Sequence, residues 1–357
     1  MARILIVDDS AVMRRALTSI MEREPGLQIV GTAVNGQQAL EKIPLLKPDL
    51  LTLDIEMPVM DGLTTLDHIR QLPKPRPAVL MCSTLTQAGS HAALRAMRLG
   101  AVDYIAKDPE ALGSGSDAAR KELVAKVRAI IDTRRLTSIP PRAGGHVPPS
   151  PVAAPDLRAR GVELVAIGSS TGGPPVLEVL LAALPQDLSV PIVVAQHMPA
   201  LFTRSMSERL GQMCRVPVVH ADQARTELQP GSVYVIVGGR HGAIRRTGGA
   251  RPFLEVSDEP REALYRPSAD ALLGSAAVAL GKHACAIVLT GMGSDGALGA
   301  GAVHRAGGVV IAQSAATCAV YGMPRSVVEA AAATAVCDPE AIAKALAALG
   351  PRARAAA

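Results

Sequence analysis

Tryptophan is absent from this 357-residue sequence, which has only two phenylalanines and four tyrosines. That scarcity excludes a surface that stacks successive nucleic-acid bases on aromatic rings. A one-signed charge is lacking too. The formal net charge is +5, but residues 1–133 are neutral, residues 134–160 carry +4 and residues 161–357 carry +1. Neither half is a basic nucleic-acid binder. The five cysteines, Cys82, Cys214, Cys285, Cys318 and Cys337, are far apart and form no CxxC pair. An odd, scattered set argues against a disulfide framework or a zinc site. No apolar run reaches the roughly 18 residues of a membrane span. The opening Met-Ala-Arg-Ile-Leu-Ile-Val-Asp-Asp turns acidic after four apolar residues, unlike a signal peptide. The expectation is a reduced, cytoplasmic setting with no membrane insertion and no nucleic-acid partner.

Hydrophobic residues make up 48% and charged residues 19% of the chain, an ordinary globular balance for a length that suits two domains. In the first half, apolar runs at Ile4–Val7, Gln28–Ala33, Leu50–Leu53, Ala78–Met81 and Val102–Ala106 alternate with helical patterns at Ala11–Glu22, Gly36–Leu46, Gly62–Gln71 and Ser90–Leu99. A last helix is expected over about Ala118–Arg135. This alternation predicts a five-stranded parallel, doubly wound sheet. Six prolines between Pro140 and Pro155, among Gly, Ala and Arg, read as a semi-extended linker.

Alternation resumes from Glu163. Runs at Leu164–Ile167, Pro191–Ala195, Ser232–Val237, Ala284–Thr290 and Gly308–Ala312 read as strands. Helices are expected at Val176–Ala183, Phe202–Leu210, Ser268–Leu280, Ala297–Arg305 and Met323–Ala331. Arg240–Val256 reads as a hairpin turning at Thr247-Gly248-Gly249, and Ala341–Leu349 as a final, fraying helix. The expected organisation is an α/β unit at 1–133, a Pro-rich basic linker at 134–160, a second α/β unit with a mostly parallel sheet at 161–349, and a tail at 350–357.

Ligands of open parallel sheets bind at the carboxyl ends of the strands. The first half sets Asp8, Asp9, Asp54, Ser83 and Lys107 at four such ends. Clustered carboxylates repel and call for a cation, and Mg²⁺ suits oxygen ligands. A carboxylate beside Mg²⁺ and a lysine can accept a phosphoryl group, because the cations neutralise the developing charge. Each residue taken alone also fits a plain solvating charge; five at matching strand ends do not.

These residues, with Leu5-Ile-Val-Asp-Asp-Ser10 and Asp54-Ile-Glu-Met-Pro-Val-Met-Asp-Gly62, resemble a two-component receiver (response regulatory) domain over about residues 1–125. The resemblance implies Asp54 as phosphoacceptor, Mg²⁺ held by Asp8, Asp9, Asp54 and the Glu56 backbone, Ser83 on the phosphoryl oxygen, and Tyr104 and Lys107 as switch residues. The sequence departs from the family at one point: Asp108 stands between Lys107 and Pro109.

In the second half, Gly168-Ser-Ser-Thr-Gly-Gly173 follows a strand and contains G-x-S-x-G around Ser170. Such a turn exposes a serine hydroxyl above the sheet and aims backbone N–H groups at an oxyanion. No Gly-Lys-Ser/Thr follows, which excludes a Walker-type nucleotide loop. A serine nucleophile needs a base. Of eight histidines, His197 ends the strand Pro191–Ala195, and His241 is the reserve. Asp295, in the glycine-rich Thr290–Gly296 loop, is available to orient the base, although an N-capping role fits it as well.

The chain order Ser, His, Asp differs from that of typical α/β-hydrolases. It resembles the catalytic domain of the chemotaxis protein-glutamate methylesterases, the CheB family, from Glu163 to about Val336. Pro199–Ser205, Leu228–Gly231, Arg266–Asp270 and Tyr321–Pro324 share in the likeness. The resemblance implies Ser170 as nucleophile, His197 as base, Asp295 as orienter, and Thr171 and Met292 at the oxyanion and substrate site. It implies hydrolysis of glutamyl γ-methyl esters on methyl-accepting chemotaxis receptors, deamidation of receptor glutamines, and a chemotaxis-type histidine kinase as phosphodonor. No cofactor is expected for the ester step, and a monomer is expected. It implies further that the unphosphorylated receiver covers the entrance near Ser170. Two rival readings remain: a general serine esterase or peptidase, and a non-enzymatic phospho-regulated binding module.

Overall fold

The computed structural model describes residues 1–83, 86–107, 117–138 and 149–350. The chain divides into two compact units, Met1–Ser138 and Ile139–Ala357.

The first unit alternates β1 (Ala2–Val7), α1 (Ala11–Glu22), β2 (Leu27–Ala33), α2 (Gly36–Leu46), β3 (Leu50–Asp54), α3 (Gly62–Gln71), β4 (Ala78–Ser83), α4 (Gln87–Arg98) and β5 (Asp103–Ala106), and closes with α5 (Asp117–Ser138). The strands pair in parallel in the order β2-β1-β3-β4-β5. Ile4, Leu5, Ile6, Leu50, Leu51 and Leu53 are fully buried, as strands covered on both faces require. The order reverses between β1 and β3, so Asp8 and Asp54 emerge side by side at the switch point.

The second unit holds a parallel seven-stranded sheet, order β15-β14-β13-β6-β7-β10-β8. Its strands are β6 (Leu164–Ser169), β7 (Ile192–Gln196), β8 (Val218–Ala221), β10 (Val233–Ile236), β13 (Ala284–Val288), β14 (Val309–Gln313) and β15 (Ala335–Cys337). A separate antiparallel sheet joins β9 (Arg225–Glu227), β11 (His241–Arg245) and β12 (Phe253–Ser257). The helices are α6 (Gly173–Ala182), α7 (Ala200–Met213), α8 (Ala269–Leu280), α9 (Ala297–Arg305), α10 (Met323–Glu329) and α11 (Pro339–Ala347). The buried stripe of α8, Ala269, Leu272, Leu273 and Ala276, packs with Leu164, Ala166, Val193 and Val288 of the central strands. Small residues on α8 let it lie close to the sheet. A Cβ on Gly168 would come 2.6 Å from that of Ala269, so only glycine fits where the helix start meets β6.

The fold agrees with the expected classes, with local corrections. The hairpin is β11–β12, paired Ala243↔Glu255. Strands β8, β9 and β15 were not expected, because they are only three or four residues long. The final helix does not fray within the described residues: Ile342 and Leu346 are fully buried. Helix α5 continues through Ser138, into residues expected to be linker. The far end of that stretch is packed too. Leu157 is fully buried, Val152 donates its N–H to Val336, and Asp156 accepts from the amides of Arg158 and Ala159 in a short turn. One buried leucine offsets a composition that otherwise reads as unpacked. Residues 139–148 of the linker, Thr84, Asp108, Pro109 and residues 351–357 of the tail lie outside the described residues.

Candidate active site and phosphoacceptor site

Ser170 follows β6, and His197 follows the adjacent β7. The two strands pair Ser169↔Gln196, and the His197 N–H donates to the Ser169 carbonyl at 3.0 Å. The turn after β6 is held from both sides. Gln196 accepts from the Ser169 hydroxyl at 2.6 Å and donates to the Ser170 carbonyl at 2.9 Å. The Thr290 hydroxyl donates to the Thr171 carbonyl at 2.9 Å, and the Ser170 N–H donates to the Thr290 carbonyl at 3.0 Å. With those carbonyls tied down, α6 starts after its N-cap Gly172, whose φ of 76° is in the region that favours glycine. Ser170 and Thr171 are both buried at the start of α6. Met292 lies half-buried between Gly291 and Gly293 in the loop after β13.

The His197 ring is fixed at one nitrogen and on one face. Nε2 lies 2.8 Å from Asp295 Oδ2. The Tyr265 ring stacks on the imidazole, with centroids 4.4 Å apart and an interplanar angle of 7°. Nδ1 is buried without a hydrogen-bond partner. A neutral imidazole donating from Nε2 to the carboxylate carries its lone pair on Nδ1.

Asp295 is gripped by the start of α8. Oδ2 also accepts the Ala269 N–H at 2.7 Å; Oδ1 accepts the Asp270 N–H and the Ser268 hydroxyl, each at 2.9 Å. Burial alone would push this carboxyl up. The His197 hydrogen bond and charge, with the Asp270 and Ala269 amides, outweigh that and hold it down at about 2. Asp295 is not the N-cap of the helix that follows it, whose N-cap is Gly296; its carboxylate takes the amides at the start of α8 instead, alongside its contact to His197. His241, the reserve base, stands behind the carboxylate rather than in front of it: its Nδ1 accepts the Ser268 N–H at 3.2 Å. Burial, with Arg266 nearby, lowers its pKa and keeps it neutral. The sequence reading gave no role to Tyr265 or Gln196, and named Ser268 and Asp270 only within the Arg266–Asp270 segment of the likeness, although Ser268-Ala-Asp270 is also a helix-start pattern.

In the first unit, Asp8, Asp9 and Asp54 each bring a carboxylate oxygen within 4.8 Å of the others. The Lys107 ammonium lies 2.5 Å from Asp54, 3.3 Å from Asp8 and 3.9 Å from Asp9. Burial raises Asp54 to about 6 despite the Lys107 hydrogen bond, and the Asp8 charge adds to the rise. Asp8 is raised chiefly by burial as well, and the Lys107 ammonium is the partner of its buried Oδ2. A cavity of about 300 Å³ lined by Asp9, Asp54, Glu56, Cys82, Ser83, Gly89 and Lys107 opens beside them. The Ser83 hydroxyl donates to the Gly89 carbonyl at 2.9 Å. Tyr104 is buried, with the Lys126 ammonium 5.1 Å from its ring centroid.

Family comparisons follow the same division. "Response regulator receiver domain" matches residues 4–112, and "CheB methylesterase" matches residues 165–346. Along 97% of its length the chain is 44% identical to the protein-glutamate methylesterase/protein-glutamine glutaminase 1 of Oleidesulfovibrio alaskensis, covering 98% of that protein. It is 38% identical to the corresponding protein of the group 1 operon of Pseudomonas putida, over 94% of this chain and 95% of that one. The CheB methylesterase catalytic domain of Thermotoga maritima superposes with a TM-score of 0.50 at 38% identity, covering 53% of this chain and 98% of that domain.

Proposed function

Since the chain belongs to the CheB methylesterase family, with a receiver domain ahead of the hydrolytic unit, we propose that Ser170, His197 and Asp295 carry its chemistry. The protein is a phospho-regulated protein-glutamate methylesterase and protein-glutamine glutaminase of chemotaxis signalling. It demethylates and deamidates chemoreceptors and takes its phosphoryl group from a chemotaxis-type histidine kinase in the cytoplasm.

One observation supports the triad most: His197 is bound to Asp295 through Nε2 while Nδ1 is buried and unpartnered, on the strand next to that of Ser170. Ser170 Oγ attacks the glutamyl γ-carbonyl, and its proton passes to His197 Nδ1. The oxyanion is held by loop amides at Thr171 and Met292. His197 returns the proton to the departing methoxide oxygen, releasing methanol, or to the amide nitrogen, releasing ammonia. Water then attacks the acyl-enzyme, His197 takes one of its protons and passes it to the departing Ser170, and the carboxylic acid released gives up the other to solvent as it ionises. Asp295 stays ionised and steadies the imidazolium. The Tyr265 face keeps the ring plane fixed.

In the receiver, Asp54 is the phosphoacceptor. The all-oxygen donor set, with carboxylate oxygens of Asp8, Asp9 and Asp54 within 4.8 Å of one another, fits Mg²⁺, to be held by Asp8, Asp9, Asp54 and the Glu56 carbonyl. Bound there, Mg²⁺ supplies charge neutralisation for phosphoryl transfer. Lys107 adds a fixed positive charge against Asp54, and Ser83 and Tyr104 are the groups that respond to its modification.

The deciding experiment measures methanol release from methylated receptor membranes with and without a small phosphodonor, beside hydrolysis of a simple ester. Receptor-dependent release that rises with the phosphodonor is expected. Equal turnover of simple esters, indifferent to receptor, would point to a general esterase instead.

A further inference from the structure

Asp295 and Asp270 cap each other's helices. Asp295 precedes α9, yet its carboxylate accepts the Ala269 and Asp270 amides and the Ser268 hydroxyl at the start of α8. Asp270, in the first turn of α8, does the reverse. Its Oδ1 accepts the Gly296 N–H at 2.9 Å and the Gly299 N–H at 2.8 Å at the start of α9. Gly296, the N-cap of α9, has no side chain of its own to do this. Helix N-termini favour nearby negative charge, so each acid is drawn to the opposite helix. The two helices also pack closely: a Cβ on Gly299 would lie 2.8 Å from the Asp270 carbonyl oxygen.

Thr290-Gly-Met-Gly-Ser-Asp-Gly296 has three glycines, and its near end is held at Gly291, whose N–H donates to the Val320 carbonyl and whose carbonyl accepts from the Gly322 and Met323 amides. Its far end is pinned where Asp270 takes the Gly296 amide, one residue past Asp295. Releasing that pin lets the Asp295 carboxylate turn away from Nε2, and misplacement by about 1 Å at a catalytic group can cost on the order of 10²-fold in rate.

We propose that Asp270 is a positioning residue of the hydrolytic reaction: by holding Gly296 and Gly299 it aims the Asp295 carboxylate at His197 Nε2. The proposal rests on the reading of Asp295 as the partner of His197. It concerns geometry, not charge. Both hydrogen bonds end on the one oxygen Oδ1, and an asparagine keeps that oxygen.

The test uses full-length protein with a phosphodonor and methylated receptor membranes. It compares Asp270→Ala, Asp270→Asn, Asp295→Ala and the double variant Asp270→Ala/Asp295→Ala, with folding followed by thermal unfolding. The expected result for Asp270→Ala is a fall in kcat on the order of 10²-fold with KM unchanged. Asp270→Asn should recover most of that loss. In the Asp295→Ala background, Asp270→Ala should cost nothing further, because the residue it positions is gone. If Asp270→Ala does not fold, Asp270→Ser takes its place with the same outcomes. The proposal is overturned if Asp270→Asn is as poor as Asp270→Ala, if the two losses multiply, or if Asp270→Ala keeps its kcat while Asp295→Ala loses it. An unimpaired Asp295→Ala overturns the triad reading itself, a separate failure.

Discussion

With Nε2 held by Asp295, one nitrogen of His197 is left for proton traffic, and the substitutions at this site divide accordingly. Ser170→Ala should lose on the order of 10⁶ in kcat, and His197→Gln as much, because the two act as a unit. Asp295→Asn should cost on the order of 10⁴, since an amide can offer Nε2 an N–H and favour the wrong tautomer. His241→Gln should cost far less, its Nδ1 being committed to the Ser268 amide. Methanol release checks all four, and a His241→Gln loss larger than that of His197→Gln would reassign the base. At the other site, burial lifts Asp54 to about 6 from 3.8. Folded protein then holds this proton at pH values where the unfolded chain has released it. Stability from this group therefore falls as pH rises from about 4 through about 6. Asp54→Asn removes the buried charge and should stabilise the receiver by about 2–3 kcal/mol at pH 7 without Mg²⁺, and by less at pH 4. Unfolding with and without Mg²⁺ at both pH values checks the sign, and phosphate labelling should vanish in the same variant.

Among the elements, the turn after β3 carries the clearest strain. Val59 has a φ of 69° and is 78% exposed. A β-branched residue in that region costs about 1–3 kcal/mol, and exposure returns little packing in exchange. Val59→Asn, which tolerates the region, should raise receiver stability by about 1 kcal/mol, read from the denaturation midpoint with an unchanged m-value. This strain was invisible in the sequence, where Asp54–Gly62 stands out as a receiver-like motif but carries no sign of its backbone angles. The proposed triad was legible in the sequence because Ser170 and His197 closely follow apolar runs and Asp295 lies in the loop after a third, and parallel sheets gather strand ends on one edge. Tyr265 was not. It lies in the aperiodic Ser257–Pro267 stretch, and only tertiary packing lays its ring on His197. Gln196 was hidden differently: it ends a strand and reads as an ordinary polar terminus, although its amide braces the nucleophile turn. Strands β8, β9 and β15 are too short to show a period, and β9 carries Arg225 and Glu227 at an exposed edge.

At the scale of the whole chain, the packed end of the Pro-rich stretch sets where a hydrolytic fragment must begin. Leu157 is buried and Val152 is bonded to Val336. A fragment from Pro149 should therefore fold, and one from Glu163 should be less stable by about 2 kcal/mol or more for the loss of a buried leucine. The Pro149 fragment should outpace the unphosphorylated full-length protein and ignore phosphodonors. Tenfold relief corresponds to about 1.4 kcal/mol of differential stability. A fragment no faster than resting full-length protein would mean that the receiver stimulates rather than restrains. The sheet order has a consequence for biosynthesis. Strand β6 lies between β7, the next strand in the chain, and β13, in which Ala284 pairs with Leu164. Ser170 leaves the ribosome long before the strand that must lie beside it, and Asp295 later still. A nascent or prematurely ended chain carries a serine with no oriented base, so hydrolytic competence arrives at the end of translation, after the receiver has had time to fold. Interrupted synthesis yields inert fragments rather than unregulated enzymes.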